Sequence, residues 1–177
     1  MMGRVLGRLN GLSRFLVISK PDYNAYVSLL KLAGSRDVLW VSSNPYLPSK
    51  VTGNRNATLI AFNTDRFDSL SVNPTDLRDL FRQIVSNISH GCAVILSCLS
   101  ELLAIHSFEK VYDFLLQLTN AVERRGGIVI GMLIEGAQRR REEILISTVF
   151  DATLKVGEIL NSFETLSNEV NLSTGLP

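Results

Sequence analysis

Five short apolar runs without polar alternation restrict what this chain can fold into: Arg14–Ser19, Val38–Ser42, Thr58–Phe62, Cys92–Leu96 and Ile128–Ile134. A strand with one face in water alternates apolar and polar side chains. A strand covered on both faces of a parallel sheet reads instead as a continuous, β-branched apolar run. Segments with helical period separate the runs. Residues 23–33 are closed by Gly34. A second helix has Asn73 as N-cap, Pro74 at its first position and Asp76 near its positive end, and stops before Gly91. A third runs from the cap Ser107 to Arg125, where Gly126-Gly127 stops it, and a fourth spans 138–149. A weaker strand is expected at Ala152–Val156. The order predicts an α/β fold, a mostly parallel β-sheet with helices on both faces, in a single compact domain.

The 177 residues suit one domain, and 46% hydrophobic content supplies an ample core. With Lys+Arg 18 against Asp+Glu 17, the net charge of +1 excludes a strongly basic nucleic-acid-coating chain and an acidic solvating tail. Two Cys and two His are too few for a disulfide framework or a Cys/His zinc site. No apolar run is long enough to span a bilayer, and Arg8 and Arg14 interrupt any leader-like core, so a cytoplasmic protein is expected. The boundaries read as an N-terminal basic arm at 1–13 (Arg4 and Arg8, with Arg14 beside it), the α/β domain at 14–160, and a polar tail at 161–177. The longest irregular stretch, 44–56, is expected to be a mobile loop.

Ligand sites of open parallel sheets lie at the strand C-terminal ends. After the first strand comes Ser19-Lys20-Pro21-Asp22-Tyr23-Asn24-Ala25-Tyr26, where a nucleotide-binding domain would carry G-x-x-x-x-G-K-[ST]. Ser19 stands at the first Gly, and Asn24, Ala25 and Tyr26 stand at Gly-Lys-[ST]. The glycines that let backbone N–H groups close on phosphate are missing, as are the neutralising Lys and the Mg²⁺-holding hydroxyl. The turn is therefore expected to collapse, with Tyr23 or Tyr26 filling the space.

The fourth run continues Val94-Ile-Leu-Ser97-Cys98-Leu-Ser-Glu101-Leu102. This stretch resembles the KaiC/RadA-like branch of the RecA superfamily, where four apolar residues precede Asp-Ser-Leu-Ser-Glu-Leu. The likeness continues through Phe108-Glu-Lys-Val-Tyr-Asp-Phe-Leu, Arg124-Arg125-Gly126-Gly127, the strand Ile128–Ile134, Ala137 and Ala152–Val156. The resemblance implies a RecA-like fold, a P-loop holding ATP, and an Asp closing this strand (Walker B) that orients Mg²⁺. At the Asp position stands Ser97, or at best Cys98, and neither is a hard anionic ligand for Mg²⁺. Losing Lys, Thr/Ser and Asp together removes the positioning and charge neutralisation of phosphoryl transfer. The expectation is a pseudo-ATPase with no cofactor, no metal and no catalytic residues. It would act as an interaction or regulatory module that self-associates or docks on an intact ATPase paralogue.

Other groups are weighed against plainer roles. Glu101 reads as a helix-start or loop carboxylate, and Cys92 and Cys98 as buried, inert thiols. His90 and His106 flank helix ends. Arg139-Arg140-Arg141 before Glu142-Glu143 reads as a solvated helix face with internal pairing such as Arg139–Glu143. Together with Arg124 and Arg125 it is also the candidate patch for nucleic acid in a recombination or repair accessory role. A third alternative is a small-ligand binder or enzyme using the cleft through Lys20, Asp22, Ser97 and Glu101.

Overall fold

The computed structural model describes residues 9, 11–53, 55–63 and 69–163. Seven strands form one sheet: β1 (Arg14–Ser19), β2 (Val38–Ser42), β3 (Ala57–Phe62), β4 (Ser69–Val72), β5 (Ala93–Leu96), β6 (Ile128–Ile134) and β7 (Ala152–Leu154). Their spatial order is β4-β3-β2-β5-β6-β1-β7, and every pairing is parallel. The helices are α1 (Tyr23–Ala33), α2 (Tyr46–Thr52), α3 (Leu77–Asn87), α4 (Leu99–Ile105), α5 (Phe108–Glu123), α6 (Arg140–Ser147) and α7 (156–163). This is the RecA-like α/β architecture, with helices on both faces.

Strand periodicity sorts the apolar side chains into two cores. Phe15, Val17, Trp40, Ile95, Ile130 and Met132 face α1, α2 and α7. Leu16, Leu39, Val41, Val94, Leu96 and Val129 face α3, α4, α5 and α6. The sheet runs one way from β1 to β4 and the other way from β5 to β7. Since parallel crossovers are right-handed, the reversal sends the second set of helices to the opposite face.

Several expectations are corrected. The helix predicted from Asn73 begins at Leu77. Asn73 and Pro74 form a turn, and the Asp76 carboxylate caps the helix by accepting from the N–H groups of Arg78 and Asp79 at 3.0 and 2.9 Å. The predicted loop 44–56 contains α2. Pro45 is its N-cap and Pro48 its third residue, where no intrahelical carbonyl awaits an N–H, so neither proline opposes the helix. β4 and α4 were not expected. Arg14 opens β1, as its apolar run predicts, and its Nε and Nη2 donate to the Glu123 carboxylate at 2.7 and 2.6 Å. That guanidinium holds the Glu123 carboxyl below its usual range. Arg4 and Arg8 lie outside the described residues, while Leu9 and Leu12 pack against the chain's own core. The helix over 156–163 carries order into the predicted tail, burying Ser162. Residues 164–177 lie outside the described residues. Among the described residues no helix is long and apolar enough to cross a membrane.

Candidate functional site

The turn after β1 satisfies its own polar groups. The Lys20 carbonyl accepts from the Ser19 hydroxyl at 3.0 Å and from the Asp22 N–H at 2.9 Å. The Asp22 carboxylate caps α1 through the Ala25 N–H at 2.9 Å. Asn24 gives its carbonyl to the Ser28 hydroxyl, and Ala25 is fully buried. Tyr26 then turns inward and stacks on Trp40 of β2, with ring centroids 5.7 Å apart and planes 13° from parallel. Tyr23 points outward beneath the Lys50 ammonium, 49% exposed. Of the two tyrosines, Tyr26 fills the interior.

Trp40 is fully buried, and a buried indole N–H needs an acceptor. It donates to the Ser97 hydroxyl at 3.0 Å, and Ser97 donates onward to the Val41 carbonyl at 3.3 Å. The Ser97 and Ser42 hydroxyls also act on the Tyr26 phenol. The turn after β1 and the end of β5 are thus joined to each other through the Tyr26–Trp40 stack.

Glu101 stands in the first turn of α4 and accepts from the Ser43 hydroxyl at 2.8 Å, while its second oxygen is buried without a hydrogen-bond partner. Sequence reasoning singled out neither Trp40, Ser42 nor Ser43. The available signal was the lone Trp centred in an apolar strand, which obliges a polar partner nearby.

Burial pushes the Tyr26 phenol above its ordinary value; neighbouring serine hydroxyls oppose that shift and the Glu101 charge adds to it. A phenol raised in the folded state adds stability below its unfolded pKa of about 10, and that stability is lost as pH rises through the folded value. An alkaline absorbance titration is expected to show a late-ionising phenol that Tyr26→Phe removes. An unchanged titration in the variant would contradict the burial.

A cleft of about 960 Å³ opens at the C-terminal ends of β1, β6 and β7. Lys20 and Asp22 line it, but Ser97 and Glu101 do not, so these four residues divide between two places. Much of its charge is engaged internally. Asp22 caps α1, Arg140 pairs with Glu143 at 2.5 Å, and Glu158 accepts from the Lys155 N–H at 3.0 Å. The helix pairing expected for Arg139–Glu143 is made by Arg140, because α6 starts one residue after Arg139. Arg139 is the N-cap, and its N–H donates to Glu142 at 3.3 Å.

The five arginines do not form one surface. Arg124 and Arg125 follow α5 and precede β6, whereas Arg139–Arg141 follow the opposite end of that seven-residue strand. At a rise of about 3.3 Å per residue the two groups stand roughly 20 Å apart along the sheet. Arg125 is occupied structurally, donating to the carbonyls of Val85 and Ile88 at 2.9 Å each and closing the end of α3.

Cys92 and Cys98 are both buried, and burial pushes both thiols up, away from the reactive thiolate. His106 donates from Nε2 to the Pro74 carbonyl at 2.7 Å, and His90 lies against Gly126. Among the described residues no three His, Cys, Asp or Glu side chains gather where a metal ion could be held.

No curated protein matches this sequence significantly. A solved structure from Pyrococcus horikoshii OT3 is similar in fold, with a TM-score of 0.59 and 13% sequence identity over 88% of each chain. A family model matches residues 42–156, from the end of β2 to just beyond β7. By that match the chain belongs to the Family of unknown function DUF7504.

Proposed function

We propose that the protein is a non-catalytic, cytoplasmic module of KaiC/RadA-like type, a pseudo-ATPase that self-associates or docks on an intact ATPase paralogue. The Tyr26–Trp40–Ser97 assembly carries this reading. Phosphoryl transfer needs an open, glycine-lined anion site and a metal-orienting carboxylate. Here the turn's polar groups are hydrogen-bonded among themselves, a tyrosine ring fills the space behind them, and the Ser97 hydroxyl is held by Trp40 and Val41. A partner role draws support from α6, where Ile144 and Leu145 are exposed side by side at 50% and 36%.

Calorimetric titration of the full chain with ATP and Mg²⁺ tests the proposal. No saturable heat is expected at ligand concentrations up to about 1 mM, a binding free energy weaker than about 4 kcal/mol. Tight binding with turnover would overturn it.

A further inference from the structure

Helices α5 and α6 pack on the same face of the sheet, and each returns from a strand C-terminal end to a strand N-terminal end. They therefore run parallel, with their N-termini at one end of the sheet. A groove of about 310 Å³ lies between their first turns. Phe108 and Glu109 of α5 line one side, and Arg139, Arg141, Glu142 and Leu145 at the start of α6 line the other. Residues four apart stack on one helix face, so Arg141 stands one turn above Leu145 and Phe108 one turn above Tyr112. The Phe108 and Tyr112 rings are 5.7 Å apart between centroids, at 33°, and the Tyr112 hydroxyl lies 3.4 Å from that of Thr148 on the far side. Leu145 is left 36% exposed against this aromatic wall. The groove thus has an apolar floor and a charged rim.

The signs along that rim decide what fits. The α5 wall carries one carboxylate, Glu109. The α6 wall carries Arg139 and Arg141 against Glu142, which keeps its charge while accepting from the Arg139 N–H. One wall is therefore net negative, the other net positive, and two cations and two carboxylates leave the whole neutral. Among the described residues neither Glu109, Arg139 nor Arg141 forms an ion pair, while Arg140 between them is held by Glu143. A neutral groove offers no excess of cations to a polyanion such as nucleic acid. It is, however, complementary to itself. Turning a second copy by 180° about an axis along the groove sets each negative wall against a positive one, and the parallel helices keep the two rims level. The same rotation lays each Leu145 over an aromatic wall.

We infer that the α5–α6 groove is the face on which two copies of this chain pair about a twofold axis, with Glu109 against the partner's Arg141 and Leu145 against the partner's Phe108. The inference rests on the self-association half of the reading above and is independent of docking on a paralogue.

Sedimentation velocity of the full chain between about 1 and 500 μM is expected to show a monomer–dimer equilibrium, since so small an apolar face supports only weak association. Leu145→Asp should weaken the dimer about tenfold or more, because a twofold interface counts each substitution twice. Glu109→Arg and Arg141→Glu, each alone, should weaken it similarly by setting like charges across the axis. An equimolar mixture of those two variants should associate about as the parent does, because each altered position then meets an opposite charge. All three positions are exposed, so circular dichroism should match that of the parent, and recovery in the mixture shows independently that both variants are folded. A parent that stays monomeric throughout overturns the inference and leaves docking on a paralogue standing. A dimer that none of the variants weakens overturns this face while leaving self-association intact. Weakening without recovery in the mixture overturns the twofold pairing of Glu109 with Arg141. Tight ATP binding, which would overturn the pseudo-ATPase reading, changes none of these outcomes.

Discussion

Trp40→Ala is expected to cost about 3–5 kcal/mol of folding stability, the range for deleting a large buried aromatic. Trp40 is fully buried at the centre of β2, its ring is stacked on Tyr26, and its indole N–H is given to Ser97. The alanine variant loses the ring's contacts with the core, the stack itself and one buried hydrogen bond, and leaves a cavity beneath α1. Against a total stability of about 5–15 kcal/mol this is a large fraction. Equilibrium urea unfolding followed by far-ultraviolet circular dichroism measures it as a fall in midpoint at unchanged slope. Tyr26→Phe keeps the stack and removes only a hydroxyl, so its cost should be about 1 kcal/mol. A Trp40→Ala cost no greater than that of Tyr26→Phe would mean that the aromatic pair is not packed as described. The variant also bears on the proposal that the protein binds no nucleotide. Opening space is not expected to create ATP affinity, because Ser19, Asn24 and Ala25 still provide neither the glycine backbone nor the lysine.

The same aromatic pair marks a boundary between what a single sequence can and cannot convey. Collapse of the turn was legible, since a tyrosine at the hydroxyl position of a would-be P-loop has to go somewhere. Its partner was not legible, because β5 and β6 lie between β2 and β1 and nothing local links Tyr26 to residue 40. The strands buried on both faces announced themselves by continuous Val, Ile and Leu. β4 did not, because at the sheet edge Ser69 and Ser71 dilute the apolar signal and pairing with β3 supplies the missing order. α4 was hidden for the opposite reason. The apolar run of β5 passes through Ser97 and Cys98 into Leu99 with no turn residue to divide strand from helix. Charge misled most directly at Arg14 and Arg125. Both looked like surface cations, and both are held by groups distant in sequence, Glu123 for one and the α3 carbonyls for the other.

Gly127→Ala should destabilise the fold by about 3 kcal/mol, the upper end of the usual range for overpacking, and for a reason confined to one atom. A Cβ at this position would lie 2.6 Å from the Cys92 carbonyl oxygen, 2.8 Å from Val122 Cγ1 and 3.3 Å from the Val122 carbonyl oxygen. The two oxygens belong to backbone that is already fixed. Cys92 accepts from the Ile128 N–H at 3.0 Å, Val122 accepts from the Gly127 N–H at 3.1 Å, and the Gly91 N–H donates to Arg125 at 2.8 Å. To admit a methyl group, the end of α5 or the start of β6 must move. That movement disturbs the Ala93–Ile128 register at which β5 and β6 begin to pair. Gly136→Ala is the informative comparison. Its φ of +76° strains any L-residue, yet nothing lies within 4 Å of the added carbon, so its cost should be the left-handed strain alone, about 1–2 kcal/mol. Urea midpoints for the two variants, read with the amide exchange rate of Ile128, test the difference. Gly127→Ala should lower the midpoint further and accelerate exchange at Ile128, whereas Gly136→Ala should leave that amide protected. Equal costs, or an unchanged Ile128 amide in Gly127→Ala, would show that the junction can relax, and that the β5–β6 register rests on the sheet rather than on this glycine.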